Sequence, residues 1–251
     1  MKMTSPAKIN LFGIPVEAMG MEEALDTVHH AISQHEPLQI GVVNAAKVVN
    51  MHRDPALRED VLSSDIIFAD GAAVVLASKI LGHSLPERVT GIDLMFGMFE
   101  RGKEHGYRVY CLGATEEVSK KVEENIAHDY PGLILAGRHH GYYSEDEQQS
   151  IADDIKNSKA DILLVAMTSP KKEQFLAKWM DYMGVSVCHG VGGSFDVYSG
   201  KVERAPERWQ KLGLEWLYRV KQEPGRLWKR YLFTNLAFIG LLMKEKLGLL
   251  K

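Results

Sequence analysis

The segment ADILLVAM at 160–167 is apolar except for Asp161, and it is too short to be a helix buried on all sides. A strand of this composition has no face to offer water. The arrangement that covers both faces is a parallel sheet with helices on each side. Runs of the same kind recur at QIGVVN (39–44), DIIFAD (65–70), YRVYCLG (107–113) and LILAGRHHGYY (133–143), and SVCHGVGGSFDVYSGK (186–201) opens as a strand and continues as a loop. Segments with apolar residues at helical spacing lie between them. These cover 21–34 (Ala24, Leu25, Val28, Ile32), 45–62 (Val48, Val49, Met51, Leu57, Val61), 72–81, Asp93 through Met98, 116–127 and 170–182. A small strand and turn at 8–18 comes first. Strand, helix and parallel strand in repetition predict an α/β fold, a Rossmann-like and mainly parallel sheet flanked by helices.

A chain of 251 residues, 45% of them hydrophobic, can bury one such core with a smaller appendage. Charge marks the boundary. Overall charge is −3, yet residues 207–251 hold ten Lys/Arg against four Asp/Glu, a net of +6 that leaves −9 on residues 1–206. The expected organisation is a core at 1–202 and a basic, amphipathic helical appendage at 203–251. The appendage interleaves Arg204, Arg208, Arg219, Arg226, Arg230, Lys211, Lys221 and Lys229 with Trp209, Trp216, Tyr218 and Trp228. Guanidinium groups suit phosphate oxygens, and amphipathic rings suit a surface wet on one side and apolar on the other. Four acids and three tryptophans interrupt the basic tail and no base-reading motif occurs, so nucleic acid is not the expected partner.

Cys111 and Cys188 sit inside apolar runs without ligand-spaced partners, which fits core residues in a reducing compartment. The N-terminus lacks a basic-then-apolar signal pattern. The run from Tyr231 to Met243 falls short of the ~20 apolar residues a bilayer span requires.

In open α/β sheets ligands bind at the carboxyl ends of the strands. Asp70 stands at one such end, before a glycine, and a turn-forming Asp-Gly accounts for it equally well. Arg88 lies in the polar loop 82–91, where it can hold a phosphate or pair with an acid. Gly113-Ala114-Thr115 leads into a helix N-terminus able to accept an anion. After 167, Thr168 is followed by Ser169 as the expected N-cap, Pro170 as the first helical residue, and the cations Lys171 and Lys172. After 189, Gly190, Gly192 and Gly193 permit close approach of a ligand to the backbone. Three ligand loops on one edge of the sheet suit a phosphorylated ligand. His139 and His140 are adjacent and poorly disposed to chelate one ion, and no DxD or ExD pair is set to hold a divalent metal between phosphates. No GxSxG, HExxH, Walker A loop or CxxC occurs. A leaving diphosphate would then be met by side chains, and the arginines of 204–230, Arg204 first, are the supply.

Taken in order, VVNAAK (42–47), ADG (69–71), RVTGID (88–93), SPKKE (169–173), GVGGSFD (190–196), RAPER (204–208), GLEWLYR (213–219) and EPGRLWKRYL (223–232) resemble the WecG/TagA/CpsF glycosyltransferases, glycosyltransferase family 26. The resemblance spans most of the chain. It implies inverting transfer of a sugar from a UDP-sugar to a sugar on undecaprenyl diphosphate, in exopolysaccharide or other cell-surface polysaccharide synthesis, without a required metal or cofactor. It also implies a cytoplasmic enzyme, peripheral on the inner face of the cytoplasmic membrane. The base role falls on Asp70, with Asn44 and Arg88 beside it. Diphosphate binding falls on Arg219, Arg226 and Lys229, and Thr168, Lys172, Gly192, Gly193 and Arg204 complete the expected substrate-binding set. Trp209, Trp216, Trp228, Leu232, Phe233, Phe238 and Leu241 are expected to face lipid headgroups.

Three departures stand out. Val42 occupies a position where the family often has Thr, Lys172 replaces a Gln, and Lys229 stands where many relatives carry Arg. The change at Lys172 leans toward an acidic donor sugar such as a uronic acid, and an N-acetylmannosamine-type donor is the other expectation. The competing reading is a nucleotide-binding oxidoreductase or regulatory domain on the same sheet, disfavoured by the missing GxGxxG. The sequence leaves open whether copies of the chain associate into a homo-oligomer.

Overall fold

The structure, a computed structural model, describes residues 7–250, apart from the Arg226 side chain. It is α/β, as the runs of apolar strands predict. A hairpin of β1 (Lys8–Leu11) and β2 (Ile14–Glu17) precedes six parallel strands: β3 (Leu38–Val43), β4 (Ile66–Ala69), β5 (Arg108–Gly113), β6 (Ile134–His139), β7 (Ile162–Ala166) and β8 (Val187–Gly190). Their order across the sheet is β4-β3-β8-β7-β5-β6. All six carboxyl ends therefore open on one side.

Alternation along each strand builds two cores. Ile66, Phe68, Ile162 and Leu164 face helices α1 (Met21–Gln34), α5 (Gly91–His105) and α6 (Glu116–Asp129). On the other face, Ile67 and Ala69 meet α2 (Ala45–Met51), α3 (Pro55–Leu62), α4 (Ala72–Ile80) and the hairpin. Leu163 and Val165 on that face meet α7 (Gln148–Ser158) and α8 (Lys171–Met183). Both cysteines are buried and free, and burial pushes each thiol up to about 12.

The periodic run 45–62 is two helices, not one. Asp54 is extended, as a residue before proline prefers, and its carboxylate accepts the Leu57 N–H at 3.1 Å, so α3 starts afresh at Pro55. Helix α5 begins at Gly91, capped by Thr90, rather than at Asp93, and runs on to a left-handed Gly106. Helix α7 had no counterpart in the sequence reading. Its apolar stripe is only Ile151, Ala152 and Ile155, too narrow to register among polar neighbours. The segment after β8 contains a short helix, α9 (Ser194–Tyr198), rather than loop alone.

The chain ends in α10 (Glu207–Lys211), α11 (Glu215–Gln222) and α12 (Pro224–Lys246). Helix α12 lies along α2 and places Phe238 in the core cluster of Leu11, Phe12, Val48, Val49 and Met51. The Phe12 and Phe238 rings are 5.2 Å apart, and the Phe12 N–H donates to Glu245 at 3.1 Å. Phe238 and Leu241 thus face the core, contrary to the expectation that they face lipid. Helical geometry turns Leu232, Phe233, Leu236, Ile239 and Met243 outward on the opposite side, all exposed. Among the described residues no helix is long and apolar enough to cross a membrane.

Candidate active site

Strands β3 and β8 are neighbours, but the chain leaves them to opposite faces: α2 packs in the cluster with the hairpin, whereas α9 places Phe195 in the other core. Their diverging exits open a crevice at the carboxyl ends, the usual ligand position in such sheets. The expected site residues distribute around it unevenly.

Asn44 ends β3 and caps α2, its side-chain oxygen accepting the Lys47 N–H at 3.0 Å. That cap fixes the first turn of α2, and Lys47 sits within it. On the adjacent β4, the Asp70 N–H donates to the Val43 carbonyl at 2.9 Å, and Gly71 follows at φ 126°, a turn that side chains disfavour. Asp70 is half-buried. Burial pushes its carboxyl up to about 6, although Arg88, Arg219 and Lys47 pull it down; Glu215 adds to the rise. A carboxylate in this range can accept a proton near neutral pH, unlike an ordinary exposed aspartate.

The β7–α8 turn supplies the opposite wall. The buried Glu173 takes three partners on one oxygen: Lys172 at 3.0 Å, Lys47 at 3.7 Å and the Ser169 hydroxyl at 2.8 Å. Burial alone would raise Glu173, but Lys172 and Lys47 outweigh it and hold the carboxyl below its ordinary value. Burial, followed by repulsion from Lys172, lowers Lys47 to about 8. Ser169 therefore does not cap the helix backbone as expected; its hydroxyl serves the Glu173 carboxylate, and α8 starts after Pro170. Gly190 leaves room for this side chain, since a β-carbon would lie 2.6 Å from the Lys172 ammonium.

Beneath the crevice His189 is fully buried, with Nε2 3.0 Å from the Gly91 carbonyl. A carbonyl only accepts, so Nε2 carries the proton. Burial drives His189 down to about 4 and keeps the ring neutral. It ties β8 to the start of α5, next to the loop carrying Arg88.

Helix α11 closes the remaining side. Arg88 donates to Glu215 at 2.8 Å, and Arg219, one turn beyond Glu215, comes within 3.9 Å of where a Gly193 β-carbon would stand. The Arg219 guanidinium has no hydrogen bond or ion pair among the described residues, so its donors remain available. Gly192 has φ 52° and open space beside it.

Asn44, Asp70, Arg88, Lys172, Gly193 and Arg219 thus come together. Three other expected ligand residues have different surroundings. Thr168 is exposed at the rim, where its carbonyl accepts the Lys172 N–H at 3.2 Å. Arg204 is ion-paired with Asp93 of α5. Lys229 is exposed, 5.7 Å from the ring of its neighbour Trp228. The side chain of Arg226 lies outside the described residues. At the Gly113 turn a β-carbon would strike the Ala166 carbonyl at 2.4 Å, and the Ala114 N–H donates to that carbonyl at 2.9 Å. Sequence reasoning did not single out Lys47, Glu173, His189 or Glu215. Lys47, Glu173 and Glu215 lie within the motifs VVNAAK, SPKKE and GLEWLYR, which is the signal that pointed toward them. Among the described residues no three His, Cys, Asp or Glu side chains converge as metal donors.

The model of the glycosyl transferase WecG/TagA/CpsF family matches residues 9–251. The chain is also similar to the N-acetylglucosaminyldiphosphoundecaprenol N-acetyl-beta-D-mannosaminyltransferase of Bacillus spizizenii, 39% identical over 189 residues that cover 75% of this chain and 72% of the relative. With a doubly wound sheet, a raised carboxylate and a cationic crevice already in view, the match over nearly the whole length decides the assignment: the chain belongs to the WecG/TagA/CpsF family and is a glycosyltransferase.

Proposed function

We propose that the enzyme moves a hexose from a UDP-sugar to a sugar carried on undecaprenyl diphosphate, with inversion at the transferred carbon. One observation carries the reading. The Asp70 carboxylate, raised to about 6, faces Arg88, Arg219 and Lys47 at the mouth of the crevice. In-line displacement requires a base to take the acceptor hydroxyl proton and fixed charge to meet the departing diphosphate. Asp70 is the base. Arg219, whose donors are uncommitted among the described residues, meets the diphosphate with Arg226 and Lys229, and Gly192 and Gly193 admit phosphate oxygens to the backbone. Asn44 orients the acceptor through the amide nitrogen that its cap leaves unused. Thr168 and Arg204 line the rim. No metal is assigned a role, because the side chains supply the cations.

Either an N-acetylmannosamine-type or a uronic-acid donor fits the family. The acid is the better fit: Lys47 and Lys172 share the single Glu173 carboxylate, which leaves positive charge on this wall for a donor carboxylate to meet. The acceptor assignment rests on the relative, whose name specifies an undecaprenol diphosphate substrate. Residues 203–251 act as a unit that completes the site and rests on the inner face of the cytoplasmic membrane. The exposed stripe from Leu232 to Met243, with exposed Trp228, Lys229 and Arg230 at its start, suits an anionic lipid surface.

The test is product detection by mass spectrometry from a panel of UDP-hexoses and UDP-uronic acids with a short-chain lipid-diphosphate sugar acceptor. A product carrying one added sugar is expected, most rapidly from an acidic donor. Donor hydrolysis without transfer under every condition would contradict the reading.

A further inference from the structure

Glu215 is an acid in a place otherwise built for anions. It lies on α11, the helix that also carries Arg219, and its side chain is 28% exposed. Its partner is Arg88, at 2.8 Å, and Arg88 makes no other hydrogen bond among the described residues. An arginine beside an aspartate ordinarily pairs with it, and such a pair holds the carboxylate far below neutral range. Here the guanidinium is turned to a different acid on a different element. The 88–93 segment is itself held in place from below by His189 on Gly91 and from the side by Arg204 on Asp93.

We propose that Glu215 is a positioning residue of the transfer reaction, engaging Arg88 so that Asp70 keeps a basic carboxylate while α11 is held with Arg219 over the Gly192–Gly193 turn. The inference rests on the reading of Asp70 as the base. It assigns Glu215 no contact with substrate. The charged groups acting on Asp70 come from three elements: Arg88 from the loop before α5, Glu215 and Arg219 from α11, and Lys47 from α2. With Glu215 neutralised, Arg88 is released toward the Asp70 carboxylate. Asp70 then titrates lower and becomes a weaker base.

The pH profile of kcat/KM for the UDP-sugar donor reads this directly, in the full-length enzyme, Glu215→Gln and Arg88→Gln/Glu215→Gln. In Glu215→Gln the acid limb should move down by about one pH unit, and in the double variant it should return to the wild-type position or above. A role confined to folding or helix docking would not reverse when Arg88 is removed as well. An unmoved limb in Glu215→Gln, or a double variant that stays at the single variant's position, overturns the inference. Should Glu215→Gln fail to fold, Glu215→Asp, which keeps the charge but shortens its reach, should show a smaller downward shift, and an unshifted limb there counts against the inference equally. Asp70→Asn, run alongside, separates the two claims. Full turnover in Asp70→Asn removes the base assignment itself, whereas lost turnover with an unmoved Glu215→Gln limb removes only the role of Glu215.

Discussion

With its carboxyl raised to about 6, Asp70 is roughly nine-tenths ionised at pH 7, so the base is poised without being an idle, fully acidic aspartate. A base must be deprotonated to act. The rate should therefore hold above pH 6 and fall about tenfold per unit below it, as kcat/KM measured from pH 4.5 to 9 would register. Lys47 sets the other limit. Its ammonium is lowered to about 8, so the crevice loses a cation as pH rises through that value, and donor KM should climb there while the acid limb stays in place. On the proposed reading Lys172 bears on the kind of donor. Lys172→Gln removes one of the two ammonium groups on Glu173, and the preference for an acidic over a neutral UDP-sugar should drop by about tenfold, in line with a lost charge-assisted hydrogen bond. Equal rates with both donors in wild type and variant would refute that assignment.

Among the elements, α12 has two faces with different duties. Phe238 is 5% exposed and completes the cluster around Phe12 and Met51, whereas Phe233, on the far side, is 66% exposed. Phe238→Ala should cost about 3–5 kcal/mol in denaturant unfolding, the usual range for a buried phenylalanine. Phe233→Ala should stay within about 0.5 kcal/mol yet weaken binding to anionic vesicles in a flotation assay. The sequence showed α12 as an amphipathic segment, but Phe238 and Leu241, expected to face lipid, turn to the core. Which face turns in depends on α2 and the hairpin, more than 170 positions away along the chain. Strands were legible because burial on both faces leaves a continuous apolar run, as at 162–166. Helix α7 was not, since only Ile151, Ala152 and Ile155 of it are buried. In the site, Asp70 and the glycines after β8 could be read from their position at strand ends. The Lys47–Glu173–Lys172 cluster and the Arg88–Glu215 pair could not, because each joins residues whose proximity is created only by the order of strands and the return of α11.

For the whole molecule, the doubly wound sheet brings the ends of β3, β4, β7 and β8 to one mouth, and the C-terminal helices return across that mouth. On the proposed reading the core supplies the base and the cations beside Glu173, and the last segment supplies arginines and an outward apolar face, so that catalysis and attachment to a lipid-borne acceptor would be served by the same stretch of chain. Because Phe238 belongs to the core, that stretch is not a removable tail; cutting at 203 would uncover Leu11, Phe12 and Met51 as well as remove Arg219. The account turns on Asp70 as the proton acceptor at this mouth. The most direct measurement is single-turnover sugar transfer by Asp70→Asn, with UDP affinity determined on the same preparation by calorimetry. UDP binding within about threefold of wild type, with transfer slowed by about 10²–10⁴, is the predicted result. Transfer at the wild-type rate would contradict the account.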